Sequence, residues 1–250
     1  MRVFWDGHGW CRVEPKVLIP LGPLFPLGTG IARDGLPNGE EIFGPRRKWW
    51  FRHYQPMEGD KILDIGSGMG EDTWVFSHAV GKRGRVIAVE AHPGTYQILR
   101  DFIRYNRLTN VDSYCGAVSM NSGQAIITDR PVSDWQLNSV SFDPNASPVA
   151  GHRVSAFRLD DLESVIGFSR IAFIKMNIEG AEALALEGAR STLFKTQHIC
   201  VCCHDFLGPT TATKADVCRL LRACGFNLFF TDVNSPPYER DFVYGKRSSA

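Results

Sequence analysis

The 250-residue chain has almost no excess of charge of either sign: 28 Lys and Arg stand against 27 Asp and Glu, a formal net charge of +1. Bulk electrostatic attraction to nucleic acid or to an anionic membrane is thereby excluded as a driving force, although a local patch is not. A long unbroken hydrophobic run is also lacking. The most apolar stretch, VLIPLGPLFPLGTGIA at residues 17–32, is interrupted by Pro20, Pro23, Pro26 and several glycines, too often for a membrane span. The opening MRVFWDGHGW has neither the basic start nor the apolar centre of a secretory signal, so the expectation is a cytoplasmic protein. There is no internal repeat and no low-complexity tract. Cysteine is scarce and odd in number, seven in all, and Cys200, Cys202 and Cys203 crowd one apolar run. That pattern points to reduced, buried thiols.

What is present is ordinary globular composition, 44% hydrophobic and 22% charged, in a chain long enough to bury a substantial core. Residues 1 to about 40 are rich in Pro and Gly without a sustained period, and read as an extended arm or lid. We set the expected boundary at residues 1–45 for the arm and 46–250 for the main domain. EEIFGPRRKWWFRHYQPMEGD then holds one helix before the turn at Glu58-Gly59-Asp60.

From Lys61 onward, short β-branched runs alternate with helical segments. KILDI, GRVIAVEA, VDSYCGAVS, IAFIKMNI and HICVCCHD read as strands; EDTWVFSHAVG, PGTYQILRDFIRYNRL, GAEALALEGARSTL and ATKADVCRLLRACG read as helices. QAIITD, SVSF and RVSAFRL form an antiparallel excursion in the middle, and FNLFFTDV with DFVYGK a closing antiparallel pair. Strands apolar on both faces and alternating with helices imply one α/β domain with its sheet covered on both sides.

KILDIGSGMGEDTW carries the chemistry. Gly66, Gly68 and Gly70, at every second position after the strand ending near Asp64, require a backbone that turns sharply or comes close to something. A strand, a glycine-rich turn and a helix make an adenosine-cofactor site at the carboxyl ends of strands. The dinucleotide fingerprint G-x-G-x-x-G would need its third glycine at residue 71, where Glu71 stands with Asp72 after it. Two carboxylates there oppose a pyrophosphate and suit a cofactor bearing a sulfonium and an ammonium group, S-adenosylmethionine. Glu90 ends the second strand, about twenty residues on, where an acid can accept both ribose hydroxyls; an ordinary surface carboxylate is the plainer alternative.

Four stretches, GDKILDIGSGMGEDT, RVIAVEAHPGTYQILRDFIRYNRLTNV, FRLDDL and IKMNIEGAEALALEGA, give the chain a resemblance to the FkbM-type methyltransferases of the class I, S-adenosylmethionine-dependent fold. The resemblance spans most of residues 59–204. It implies a Rossmann-like three-layer α/β sandwich whose seven-stranded sheet is mostly parallel with an antiparallel last strand. It also implies that Asp64, Gly66, Gly68 and Gly70 wrap the methionine part of the cofactor, with Glu71 and Thr73 beside them. Glu90 and Ala91 would lie at the ribose, Gly116 and Ala117 at the adenine edge, and IKMNIEGAE facing the transferring methyl. Two departures stand out: Asn177 replaces the family's usual Asp, and Cys202-Cys203-His204 replaces its E-x-H.

The expected reaction is methylation of a hydroxyl on a small molecule or saccharide. His204, with Asp205 beside it, is the first candidate for the base, against a loop cap as the plainer role; Glu179 is the second, against a structural acid at a helix start. Asn177 belongs to the same catalytic set. A metal site from Asn177, Glu179, His204 and Asp205 lacks any recognisable ligand spacing, and none is expected. The basic-aromatic run RRKWWFRHY, residues 46–54, invites an RNA-methyltransferase reading. The plainer one is an amphipathic helix that packs Trp49, Trp50 and Phe51 on the sheet and leaves Arg46, Arg47 and Lys48 in water. A cofactor-binding scaffold without catalysis and a nicotinamide enzyme are the remaining alternatives. Oligomeric state is not readable from the chain.

Overall fold

The computed structural model describes residues 2–5, 10–14, 17–22, 39–130, 138–143, 151–209 and 211–248. Strands β1 (Arg2–Trp5), β2 (Trp10–Glu14) and β3 (Val17–Gly22) form an antiparallel meander where the sequence suggests an irregular arm. The β-branched and aromatic residues between the turn-formers are enough to make strands. Helix α1 (Gly39–Trp50) then runs across the boundary expected at residue 45.

The alternating part follows as β4 (Lys61–Ile65), α2 (Glu71–Val80), β5 (Arg85–Glu90), α3 (Pro93–Tyr105) and β6 (Val111–Cys115). Residues 111–119, which read as one strand, are split at Gly116. Its φ of 154° is open to glycine, and a Cβ there would stand 2.6 Å from the Phe157 ring. Beyond that break β7 (Ala117–Val118) joins β8 (Gly123–Thr128), β9 (Val140–Ser141) and β10 (Gly151–Phe157) in a separate four-stranded sheet, the antiparallel excursion of the sequence. Helix α4 (Leu159–Ile166), which the sequence pattern does not announce, leads to β11 (Ile171–Met176).

The long helix expected at residues 180–193 is two, α5 (Glu182–Glu187) and α6 (Arg190–Lys195). Asp160 of α4 accepts the N–H groups of Ser191 and Thr192 at 3.2 and 2.8 Å, which gives α6 its own start. Strand β12 (Thr196–Cys202), helix α7 (Lys214–Ala223), strand β13 (Phe226–Phe230), helix α8 (Pro237–Arg240) and strand β14 (Phe242–Arg247) complete the chain.

The main sheet has the order β13-β14-β12-β11-β4-β5-β6, parallel from β12 to β6, with β14 antiparallel to both its neighbours. Strand direction alternates its side chains between two cores, as a sheet covered on both faces requires. Ile62, Phe173 and Cys200 join the aromatic core of Trp50, Phe76 and Phe102, while Leu63, Ile174 and Val201 join the aliphatic core of Leu159, Leu193 and Leu221. The result is the class I methyltransferase sandwich. Cys200 and Cys203, four residues inclusive and formally C-x-x-C, fall into opposite cores and stay apart as free thiols. No helix among the described residues is long and apolar enough to cross a membrane.

One buried charge cluster ties these layers together. Lys175 of β11 has no exposed surface and lies 3.0 Å from Asp64 of β4 and 3.4 Å from Asp72 of α2. Its ammonium also donates to the Gly66 carbonyl and sits 5.4 Å over the Trp50 ring. Arg46 of α1 reaches Asp72 at 2.8 Å, and the Trp50 indole N–H donates to the same carboxylate at 2.8 Å. Burial works against the charge on Asp72, but Arg46 and Lys175 hold its carboxyl below the usual range. Removing one partner of such a buried set costs about 3–5 kcal/mol. Lys175→Met is therefore expected to lower stability by roughly that amount in equilibrium urea unfolding; a loss within error of zero would show that the cluster carries no stability.

Candidate active site

Successive βα units run from β4 outward to β6 on one side, while the chain returns to build β11 and β12 on the other. This places a topological switch point between the carboxyl ends of β4 and β11, where open α/β sheets form their ligand crevice. A cavity of about 440 Å³ lies there. Its walls include Gly66, Gly68, Glu71, Glu90, Ala91, Gly116, Ala117, Asn177, Glu179 and His204, so the structure brings most of the expected residues around one space.

Asp64, Gly70 and Thr73 are not on that wall; they stand behind it. Asp64 and Thr73 are fully buried and joined by a 2.6 Å hydrogen bond from the Thr73 hydroxyl. Gly70 has a left-handed backbone, φ 107°, and a Cβ there would meet Phe102 at 2.8 Å and Leu99 at 3.1 Å. Gly66 is tighter still. With φ 75°, its missing Cβ would fall 1.9 Å from the Asn177 carbonyl oxygen. Two of the three loop glycines thus serve close packing of the chain on itself. Gly68 donates its N–H to Glu90 Oε2 at 2.9 Å.

Glu90 is anchored on its other oxygen by the His92 N–H at 2.8 Å. Burial raises its pKa, and these two backbone bonds pull it back down. Each carboxylate oxygen retains a lone pair for a further donor.

The charge balance around Glu71 and Asp72 differs from the sequence expectation. Arg46, expected in water, turns inward and pairs with both, at 3.4 Å and 2.8 Å. Trp49 and Trp50 of the same helix line the cavity, while Arg47 and Lys48 are exposed. One guanidinium balances only part of the negative charge of two carboxylates, so they oppose a pyrophosphate less strongly than the sequence suggests. Arg46 and Trp50 lie in a run that the sequence singles out, but their direction depends on α2, which only the fold supplies.

On the β11 side the chain is bent sharply at two residues that carry side chains. Glu179 has φ 48° and His204 φ 52°, left-handed conformations costing about 1–3 kcal/mol each and characteristic of functional sites. Both face the cavity, with Glu179 Oε1 3.9 Å from His204 Nε2. His204 Nδ1 lies 3.1 Å from Glu182 Oε1. Glu182, fully buried, is held in place by the N–H groups of Ile178 and Gly180 and by the Thr213 hydroxyl. Burial alone would lower the pKa of His204, but Cys202, Glu182 and Glu179 together raise it to about 11. A pKa raised this far makes His204 a poorer base near neutrality than its ordinary value suggests.

Glu179 moves the other way. Burial, with Glu90 and Glu182 nearby, lifts its carboxyl to about 8 against the pull of His204. That is the proton affinity a base working near neutrality needs. Asp205, expected beside His204, is instead committed to the N–H groups of Thr213 and Lys214 at 2.9 and 3.1 Å. Sequence reasoning assigned no role to Glu182 or Lys175; both stand in IKMNIEGAE, and only their burial reveals them.

A crevice at the switch point, a glycine loop closed by a ribose-compatible acid, and a strained acid opposite it define an adenosine-cofactor enzyme. The chain belongs to the methyltransferase FkbM domain family, S-adenosylmethionine-dependent enzymes, whose pattern matches residues 62–228. It is 36% identical over 73 residues to the protein-L-isoaspartate O-methyltransferase of Methanococcus aeolicus, covering 29% of this chain and 34% of that protein. It is 32% identical over 90 residues to the ubiquinone/menaquinone biosynthesis C-methyltransferase UbiE of Shewanella frigidimarina, covering 34% and 36%. The chain thus spans about a third of the length of these curated relatives. A solved structure from Klebsiella pneumoniae, whose O-methyltransferase assignment is itself provisional, shares the fold at a TM-score of 0.51 and 12% identity, over 88% of this chain and 82% of that one.

The two shifted groups make stability depend on pH with one sign. Between the ordinary carboxyl value of 4.5 and about 8, folded Glu179 binds a proton that the unfolded chain lacks, so stability falls as pH rises through that window. The contribution of His204 is complete below 6.5 and is lost as pH rises through about 11. Unfolding free energies measured across this range should fall less steeply below about pH 8 in Glu179→Gln than in the parent chain; identical slopes would mean that Glu179 titrates normally.

Proposed function

We propose that this protein transfers a methyl group from S-adenosylmethionine to a hydroxyl of a small molecule, with Glu179 as the base. The observation that carries the reading is the opposition, across one cavity, of the Gly68–Glu90 wall to the strained Glu179–His204 pair. S-adenosylmethionine would supply an electrophilic methyl on a sulfonium, and Glu179 would take the proton of the hydroxyl that receives it. The cavity residues suit that cofactor. Glu90 has lone pairs for ribose hydroxyls, Glu71 offers negative charge to cationic groups, and Ala117, Val118, Ile127 and Val140 offer an apolar surface to a planar base.

His204 acts on this reading as a fixed cation. It positions Glu179 and keeps its pKa from climbing further, while Glu182 and Thr213 fix the imidazole. Asn177, beside Glu179 on the wall, is a neutral neighbour to the acceptor. An acceptor would enter past aromatic side chains: Trp49 stacks with Phe242 and meets Tyr238 edge-on, and Phe206 and Tyr238 are 45% and 39% exposed at the mouth. Such a wall favours an acceptor with a flat apolar face, an aromatic ring or the CH face of a saccharide. The RNA reading is less well supported, because Trp50 and Tyr54 of the basic-aromatic run are buried and cannot stack on bases. Residues 1–45 as a lid remain part of the proposal, as does action in the cytoplasm.

Calorimetry with S-adenosylhomocysteine and with NAD tests the cofactor, and binding of NAD alone would defeat the reading. With a labelled methyl donor and a panel of hydroxylated aromatics and saccharides, turnover is expected to rise with pH through about 8. Glu179→Gln should lower it by about 10²–10⁴-fold with little change in homocysteine-analogue affinity. His204→Ala should move the rising limb to higher pH; an unmoved limb would show that His204 does not tune Glu179.

A further inference from the structure

Three side chains outside this machinery converge at the edge of the cavity where the four-stranded sheet meets the main one. His92 follows β5 and caps α3, Asp129 follows β8, and His152 lies on β10. The antiparallel register of β8 and β10, with Gly151 opposite Thr128, brings His152 alongside Asp129. His92 Nε2 is 3.3 Å from Asp129 Oδ1, and His152 Nε2 is 3.2 Å from Asp129 Oδ2. The two imidazole rings stand 5.1 Å apart at 71°. One ligand atom from each of the three residues lies within 4.8 Å of the others.

We propose that His92, Asp129 and His152 form a binding site for a divalent transition-metal ion, Zn²⁺ by its ligand set. Two imidazoles and one carboxylate are a standard zinc donor set. Ligands at about 2.0–2.1 Å around a tetrahedral zinc lie about 3.3 Å from one another; the two histidines now meet different oxygens of Asp129, and the three ligand atoms, within 4.8 Å, would draw together on binding. Three protein ligands leave a fourth position for water or an oxygen ligand.

The site imposes one change of tautomer. His92 Nδ1 now accepts the Thr95 N–H at 3.1 Å, so a neutral ring carries its proton on Nε2, toward Asp129. Metal binding needs the Nε2 lone pair, so the proton must reside on Nδ1, which then gives up the bond it accepts from the Thr95 N–H. The Thr95 hydroxyl, 3.0 Å from Nδ1, is placed to accept it. This is the outer hydrogen bond that fixes a ligating histidine. Because His92 also lines the cavity and its N–H anchors Glu90, a bound ion would fasten the small sheet to the cofactor strand.

The test is calorimetric titration of the full chain, freed of metal by a chelator, with Zn²⁺. One ion per chain at micromolar concentration is expected, at least tenfold weaker in Asp129→Asn and in His152→Ala. Those side chains are 51% and 43% exposed, so both variants should fold, which circular dichroism checks. Thr95→Val should weaken binding by about 10- to 100-fold through the lost outer bond alone. Absence of stoichiometric binding, or binding undiminished in both ligand variants, would overturn the proposal and leave an ordinary hydrogen-bonded trio.

Discussion

A lysine ammonium shut away from water keeps its charge only if carboxylates are brought to it, and Lys175 has Asp64 and Asp72 at 3.0 and 3.4 Å. That requirement fixes the relation of β11, β4 and α2, and through Arg46 and Trp50 the seat of α1. Its third contact, to the Gly66 carbonyl, pins the glycine loop at its base. The crevice is therefore held by a charged knot beneath its floor, which steadies the glycine loop from below.

Charge alternates outward from there. Glu182 faces His204, His204 faces Glu179, and Glu179 faces the cavity. His204 holds the Glu179 pKa down against burial, and Glu179 in turn raises that of His204. Two departures from the usual family residues are consistent with this. A carboxylate in place of Cys202 or Asn177 would add negative charge beside Glu179 and lift its pKa further.

Much of the architecture is legible in the sequence because burial on both faces writes itself as β-branched runs between amphipathic helices. KILDI, RVIAVE and IAFIKM needed no tertiary information, and neither did the glycine loop or Glu90. What escaped has a common cause. Arg46 points inward because α2 presents two acids to it; β7 leaves the main sheet because Phe157, forty residues later, blocks any side chain at Gly116. α6 separates from α5 because Asp160 caps it from another helix. The raised pKa of His204 owes to Cys202 and to Glu182, the latter 22 residues away in sequence and in hydrogen-bond contact in space. None of these is a local property, and local pattern cannot carry them.

The near-contact of Gly66 with the Asn177 carbonyl gives the site an internal gauge. The loop after β4 and the turn after β11 meet there, main chain against main chain, with no side chain between to bend or rotate. In-line displacement is sensitive to errors of about 1 Å in the approach of the nucleophile. The separation between the two walls of the cavity is thus written in backbone, independent of the aromatic side chains at its mouth. A heavier residue at position 66 would act as a spacer, pushing the two halves apart, and its effect would be one of alignment before it was one of affinity.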